Sequence, residues 1–127
     1  MNKRILIIDD DVAHIVSTRG LLEAEGYVVY THTQGFGTTN LVKQLAPDLV
    51  LLDVNMPGLS GENLASVLRA NASTRNTKIL FYSSNDEDLL RAAVKKFEVN
   101  GYVCKGNAAQ LRSKVSQILG AEAVVGR

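Results

Sequence analysis

Five short apolar runs, separated by longer stretches of helical period, constrain this chain more than any other feature. Residues 4–8, 27–31, 48–53, 78–83 and 101–105 carry the runs, each bounded by Gly, Asp, Pro or Ser. In 4–8, 49–52 and 79–82 the pattern is continuous instead of alternating, as in strands covered on both faces of a parallel sheet. Between the runs the period becomes helical. Ala108, Leu111, Val115, Ile118 and Leu119 form the cleanest stripe, and Leu90, Ala93, Val94 and Phe97 a second. Leu64, Val67 and Leu68 give a third stripe, Val12, Ile15, Val16 and Leu22 a fourth, and Leu41, Val42 and Leu45 a shorter one stopped by Pro47. Asn107 with Gln110 reads as a capping pair, Asp86, Glu87 and Asp88 as an acidic helix start, and Gly26 and Gly120 as helix ends. Gly20 breaks the pattern, because glycine inside a helix costs about 1 kcal/mol against alanine. The alternation predicts an α/β protein, a (βα)5 doubly wound sheet with right-handed crossovers and helices on both faces.

Charged residues fall where such a fold binds ligands, outside the carboxyl ends of the strands. Ile5 to Ile8 runs into Asp9, Asp10 and Asp11; Leu49 to Leu52 runs into Asp53 with Pro57 and Gly58 behind it; Tyr102 to Cys104 runs into Lys105. Ser83 ends the fourth run. Carboxylates crowded at one edge repel and raise each other's pKa, so the cluster calls for a cation. Oxygen ligands with open positions suit Mg²⁺, whose shell is usually completed by water and a phosphate. Lys105 then supplies a point charge for a phosphoryl oxygen, Ser83 a hydroxyl donor, and Asp53 the nucleophile that forms an acyl phosphate.

Taken singly, these residues have plainer readings. An aspartate triplet after a strand caps the next helix, a lysine after a strand is a solvent charge, and Ser83 and Ser84 are helix caps. His14 and His32 read as surface or helix-flank residues, Cys104 as a buried core thiol, and Lys95 with Lys96 as a solvated helix face. The register of Asp9, Asp53 and Lys105 at three strand ends is what sets the plainer readings aside.

The segments 7–11, 51–58, 79–84 and 101–105, in this order and spacing, resemble the receiver (response regulator, chemotaxis-regulator-like) domain of bacterial two-component systems, over essentially the whole chain. The resemblance implies a flavodoxin-like five-stranded parallel sheet of strand order 2-1-3-4-5 and a phosphoacceptor at Asp53. It implies Mg²⁺ held directly by Asp10, Asp53 and the Asn55 carbonyl, with Asp9 acting through water. Ser83 and Lys105 would contact the phosphoryl oxygens, and Tyr102 matches an aromatic switch that turns inward as the Ser83 hydroxyl moves. Gly106 departs from the family, many members having proline after the lysine. Asn55 and Asn85, each two residues past a site residue, are expected to flank the path of attacking water.

The expected function is a phosphorelay step. A histidine kinase or phosphotransfer protein phosphorylates Asp53, and the face of the fourth helix, fifth strand and fifth helix changes shape to control an unknown protein target or an output domain. No enzyme activity beyond self-phosphorylation and self-dephosphorylation is expected, and dimerisation through that face stays open. Two alternatives stay open beside it: a haloacid-dehalogenase-like phosphatase using Asp9, suggested by Asp9-x-Asp11-x, and a receiver-fold scaffold that never accepts phosphate.

Composition narrows the setting. At 127 residues with 46% apolar and 21% charged residues, one domain is expected, with residues 1–120 as the receiver and 121–127 as a tail or the start of a linker. A net charge of +1 gives no case for nucleic acid or anionic membrane as a partner. One cysteine and no long apolar stretch predict a cytoplasmic protein without a disulfide or a spanning helix.

Overall fold

The computed structural model describes residues 2–56 and 58–120. Pro57 and the expected tail at 121–127 lie outside the described residues. Strands and helices alternate throughout: β1 (Arg4–Ile8), α1 (Val12–Ala24), β2 (Val28–His32), α2 (Thr38–Leu45), β3 (Leu49–Leu52), α3 (Gly61–Ala70), β4 (Ile79–Ser83), α4 (Glu87–Lys96), β5 (Gly101–Cys104) and α5 (Ala108–Leu119). The five strands form one parallel sheet of order β2-β1-β3-β4-β5, as expected. The order reverses at β1, so β1 and β3 lie side by side and their following loops part to opposite faces.

Two cores follow from the two-residue period of a strand. Leu6, Ile8, Val50, Leu52 and Phe81 face one side and pack with Val42, Leu64, Leu68 and Leu90 from α2, α3 and α4. Ile5, Ile7, Leu49, Leu51, Leu80 and Tyr82 face the other and pack with Ile15, Leu22, Leu111, Val115 and Leu119 from α1 and α5. Each such side chain, fully removed from water, contributes about 1.5–3 kcal/mol. No helix among the described residues is long and apolar enough to cross a membrane.

Local signals act as the sequence suggests at several ends. Asp11 is the N-cap of α1, its carboxylate accepting the His14 N–H at 3.1 Å. Asp86 caps α4 by accepting the Asp88 N–H at 2.8 Å, and Asn107 caps α5 by accepting the Gln110 N–H at 3.0 Å. Gly61 opens α3 for a steric reason: a Cβ there would stand 2.1 Å from the Asp53 carbonyl oxygen.

Three expectations need correction. Val12 and Val16 are 60% and 66% exposed, so they leave the α1 core stripe. The buried row runs through Ile15, Thr18 and Leu22, and at 100° per residue this turns Val12 and Val16 outward and His14 toward the sheet. Val67 is likewise exposed, because α3 packs through Leu64, Ala65 and Leu68. Cys104 is half-buried where a core thiol was expected, since β5 is an edge strand whose alternate residues reach the rim. Gly20 is exposed with open space around it, and the structure offers no reason for it.

Candidate functional site: a carboxylate cluster closed by one lysine

The sheet's own hydrogen bonds carry the charged residues to one edge. The Asp9 N–H donates to His32 O at 3.1 Å, Asp53 N–H to Ile8 O at 3.0 Å, and Lys105 N–H to Ser83 O at 2.9 Å. Each residue thus extends its strand ladder by one step, which fixes its backbone while its side chain projects past the strand ends.

Asp9 and Asp53 are 2% and 5% exposed, whereas Asp10 is on the surface. One carboxylate oxygen from each of the three can be taken so that all lie within 4.8 Å of one another. Against them stands Lys105, its Nζ 2.9 Å from Asp9 Oδ2 and 3.5 Å from Asp53 Oδ2. Asp9 Oδ1 accepts the Asp11 N–H at 2.9 Å, and Asp53 Oδ1 accepts the Asn55 N–H at 3.2 Å.

Burial raises the Asp53 carboxyl above its ordinary value; Lys105 pulls it back and the Asp9 charge adds to the rise. Lys105 moves the other way from a simple buried amine. Desolvation opposes its charge, but Asp9 and Asp53 outweigh that and hold its pKa above the usual 10.5. The balance is short of positive charge, three carboxylates to one lysine. This donor set of buried and exposed oxygens fits a hard divalent cation.

The other predicted site residues sit on the same edge. Asn55 Nδ2 donates to Ser83 Oγ at 3.4 Å and to Asn85 Oδ1, and the Asn85 N–H donates to Ser83 Oγ at 3.3 Å. The loops after β3 and β4 are therefore laced together beside Asp53. Gly106 takes φ +95°, a turn open to glycine, and Lys105 reaches both carboxylates without the proline that many family members carry there. Tyr102 stands apart: its hydroxyl donates to Glu87 Oε2 at 2.7 Å and lies 3.3 Å from Arg91 Nη2, on the rim between α4 and β5.

One neighbour escaped the sequence reading. His14, which the sequence alone assigns to the surface or a helix flank, places Nδ1 3.4 Å from Asp9 Oδ2 and rests its ring on Tyr82, centroids 5.1 Å apart. Its position five residues past Asp9 gave no signal, because only the rotation of α1 decides which way it faces.

Residues 5–116 match the family model for the response regulator receiver domain. The chain belongs to that family, the receiver domains of two-component systems, which are signalling domains. It is 29% identical over 102 residues to Protein PilH of Pseudomonas aeruginosa, covering 80% of this chain and 84% of PilH. It is 39% identical over 77 residues to Sensor protein GacS of Pseudomonas syringae pv. syringae, covering 61% of this chain but only 8% of GacS. Among solved structures, the receiver domain of the sensor histidine kinase PA1611 from Pseudomonas aeruginosa PAO1, with a magnesium ion coordinated in its active-site cleft, superposes with a TM-score of 0.84. At 21% identity, over 94% of this chain and 99% of that one, this likeness shows the fold. The dehalogenase-like and scaffold alternatives are not favoured. The former also needs Asp11 as acid/base, and that carboxylate is spent on capping α1.

Proposed function

We propose that this chain accepts a phosphoryl group on Asp53 from a histidine kinase or phosphotransfer protein, with Mg²⁺, and that residues 1–120 form the working unit. The observation that carries this reading is Lys105 spanning Asp9 and Asp53 above a three-carboxylate cluster. Asp10, Asp53 and the Asn55 carbonyl would hold the metal, and Asp9 would reach it through water. When bound, the cation neutralises charge on the phosphoryl oxygens. An Asp53 oxygen attacks phosphorus, the bond from phosphorus to the donor nitrogen breaks, and its electron pair leaves with the donor imidazole. Lys105 meets the incoming charge, so it must trade an aspartate for a phosphoryl oxygen. Ser83 turns its hydroxyl from the Asn55 and Asn85 contacts to another oxygen. Asn55 and Asn85 border the approach of water and set how long the acyl phosphate lasts. The magnesium in the PA1611 receiver supports this use of the cluster.

Output would run through α4, β5 and α5, where Tyr102 is held at the rim by Glu87 and Arg91. Vacating the Ser83 position gives that ring room to turn inward, a population shift driven by contacts to the phosphate. A protein target, an output domain or a second copy would read the changed face. No turnover of a separate substrate is assigned to the chain, and the cytoplasm is its proposed location. Intact mass after incubation with acetyl phosphate and Mg²⁺ tests the reading. One added phosphoryl group, absent in Asp53→Asn and in EDTA, is expected. An equal adduct on Asp53→Asn would overturn it.

A further inference from the structure

Asp9 carries more contacts than a metal-facing carboxylate needs. Its Oδ1 takes the Asp11 N–H at 2.9 Å, and its Oδ2 takes Lys105 Nζ at 2.9 Å with His14 Nδ1 standing 3.4 Å off. The histidine is not a loose surface ring. It is braced on Tyr82, which is 6% exposed, with centroids 5.1 Å apart and planes inclined at 46°. Thr18, 3% exposed and one helical turn along α1, places Oγ1 3.5 Å from the same Nδ1. Packing against the second core thus fixes which nitrogen faces Asp9.

The arrangement has a consequence when Lys105 moves. A lysine drawn to a phosphoryl oxygen leaves Asp9 Oδ2 without its shortest partner, in a site where an unpaired buried carboxylate is costly. His14 is the one other basic side chain among the described residues within 4 Å of that oxygen. A carboxylate held on one oxygen alone can swing about its Cβ bond, and its hold on a metal-bound water loosens with it. We infer that His14 is a positioning residue for Asp9, keeping the carboxylate aimed at the cation when Lys105 engages the phosphoryl group. This rests on the proposed Mg²⁺-dependent phosphoacceptor reading. Groups that orient metal ligands are worth about 10–100-fold in affinity, and Asp9, acting through water, belongs at the low end.

The test is Mg²⁺ binding by isothermal titration calorimetry at one fixed pH and ionic strength, with excess beryllofluoride present as the phosphoryl mimic that draws Lys105 from Asp9, for wild type, His14→Leu and His14→Asn. Asparagine can present its amide nitrogen near the place of Nδ1, whereas leucine fills the space without a donor. We expect binding roughly tenfold weaker for His14→Leu and within about twofold of wild type for His14→Asn. The Mg²⁺ concentration for half-maximal phosphorylation by acetyl phosphate should rise in parallel, with the rate at saturating Mg²⁺ little changed. His14→Met replaces His14→Leu if the latter does not fold. Apolar variants that bind Mg²⁺ like wild type overturn the inference, as does equal weakening by leucine and asparagine. A wild type that binds no Mg²⁺ defeats the functional reading itself, so the two failures are distinct.

Discussion

Two cations tie this molecule together, one at each edge of the sheet, and they are opposites in chemistry. At the amino edge Arg69 reaches from the last turn of α3 to four neutral oxygens. Its donors meet Glu98 O at 2.8 Å, Thr77 O at 2.7 Å, Arg75 O at 3.0 Å and Asn100 Oδ1 at 3.3 Å. Glu98 needs such an anchor, because it is a non-glycine residue at φ 55°. At the carboxyl edge Lys105 faces carboxylates alone, and more of them than one ammonium can neutralise. Arg69 sits in a saturated network that has no reason to change. Lys105 sits in an oversubscribed one, where a second cation or a phosphoryl group finds an opening. Saturation marks a fastening, and imbalance marks a place where something is exchanged.

Substitutions can break this contrast in a graded order. Arg69→Ala should have the largest effect on stability, a loss of about 3 kcal/mol in urea unfolding, since several acceptors lose a charged donor together. Phosphorylation of the remaining folded protein should be little altered. Lys105→Met comes next, with a loss of about 2 kcal/mol at pH 7 from two buried carboxylates left without a cation. Unlike the arginine defect, this loss should shrink in acid or in millimolar Mg²⁺, and acetyl phosphate labelling should fall by at least about tenfold.

Asp53→Asn should do the reverse and stabilise the protein by about 1 kcal/mol at pH 7 in the absence of divalent cations. The sign follows from linkage. Burial raises the Asp53 carboxyl above the unfolded value of 3.8, so the folded state binds this proton more tightly. The group's cost is absent below 3.8, accrues as pH rises to the raised value, and is complete above it. The advantage of the asparagine should therefore fade as pH is lowered through that window, and thermal melts at several pH values measure it. The smallest effect belongs to Glu87→Gln. Its exposed contact with Tyr102 is expected to leave the urea midpoint unchanged while shifting the tyrosine ring signals in NMR.

The sequence made one of these edges legible and left the other dark. β1, β3 and β4 are readable as unbroken apolar blocks, Asp9 and Asp53 because a charge directly after such a block has only the strand end to occupy, and Lys105 because it ends the shorter run of β5 in the same way. Arg69 gave no signal. Its partners lie 6 to 31 residues away and are mostly backbone oxygens, which have no letter in the sequence. Val12, Val16 and His14 share a different blindness. Apolar spacing finds a helix but not its rotation, and α1 buries Thr18 where an apolar residue would have been the easier guess. Tyr102 drew notice only through the receiver resemblance, as an aromatic switch, and its Glu87 and Arg91 partners came into view only with the turn of α4.

Gly61 has a meaning for anyone redesigning this protein. With a Cβ at that position 2.1 Å from the Asp53 carbonyl oxygen, the start of α3 lies directly against the backbone of the fifty-third residue. That position is closed to ornament: a side chain at 61 cannot be absorbed without dragging the Asp53 backbone along. A library meant to give the domain new partners would waste its diversity there, and would do better on outward letters such as Val12, Val16 and Leu89, which carry exposed surface and no structural debt.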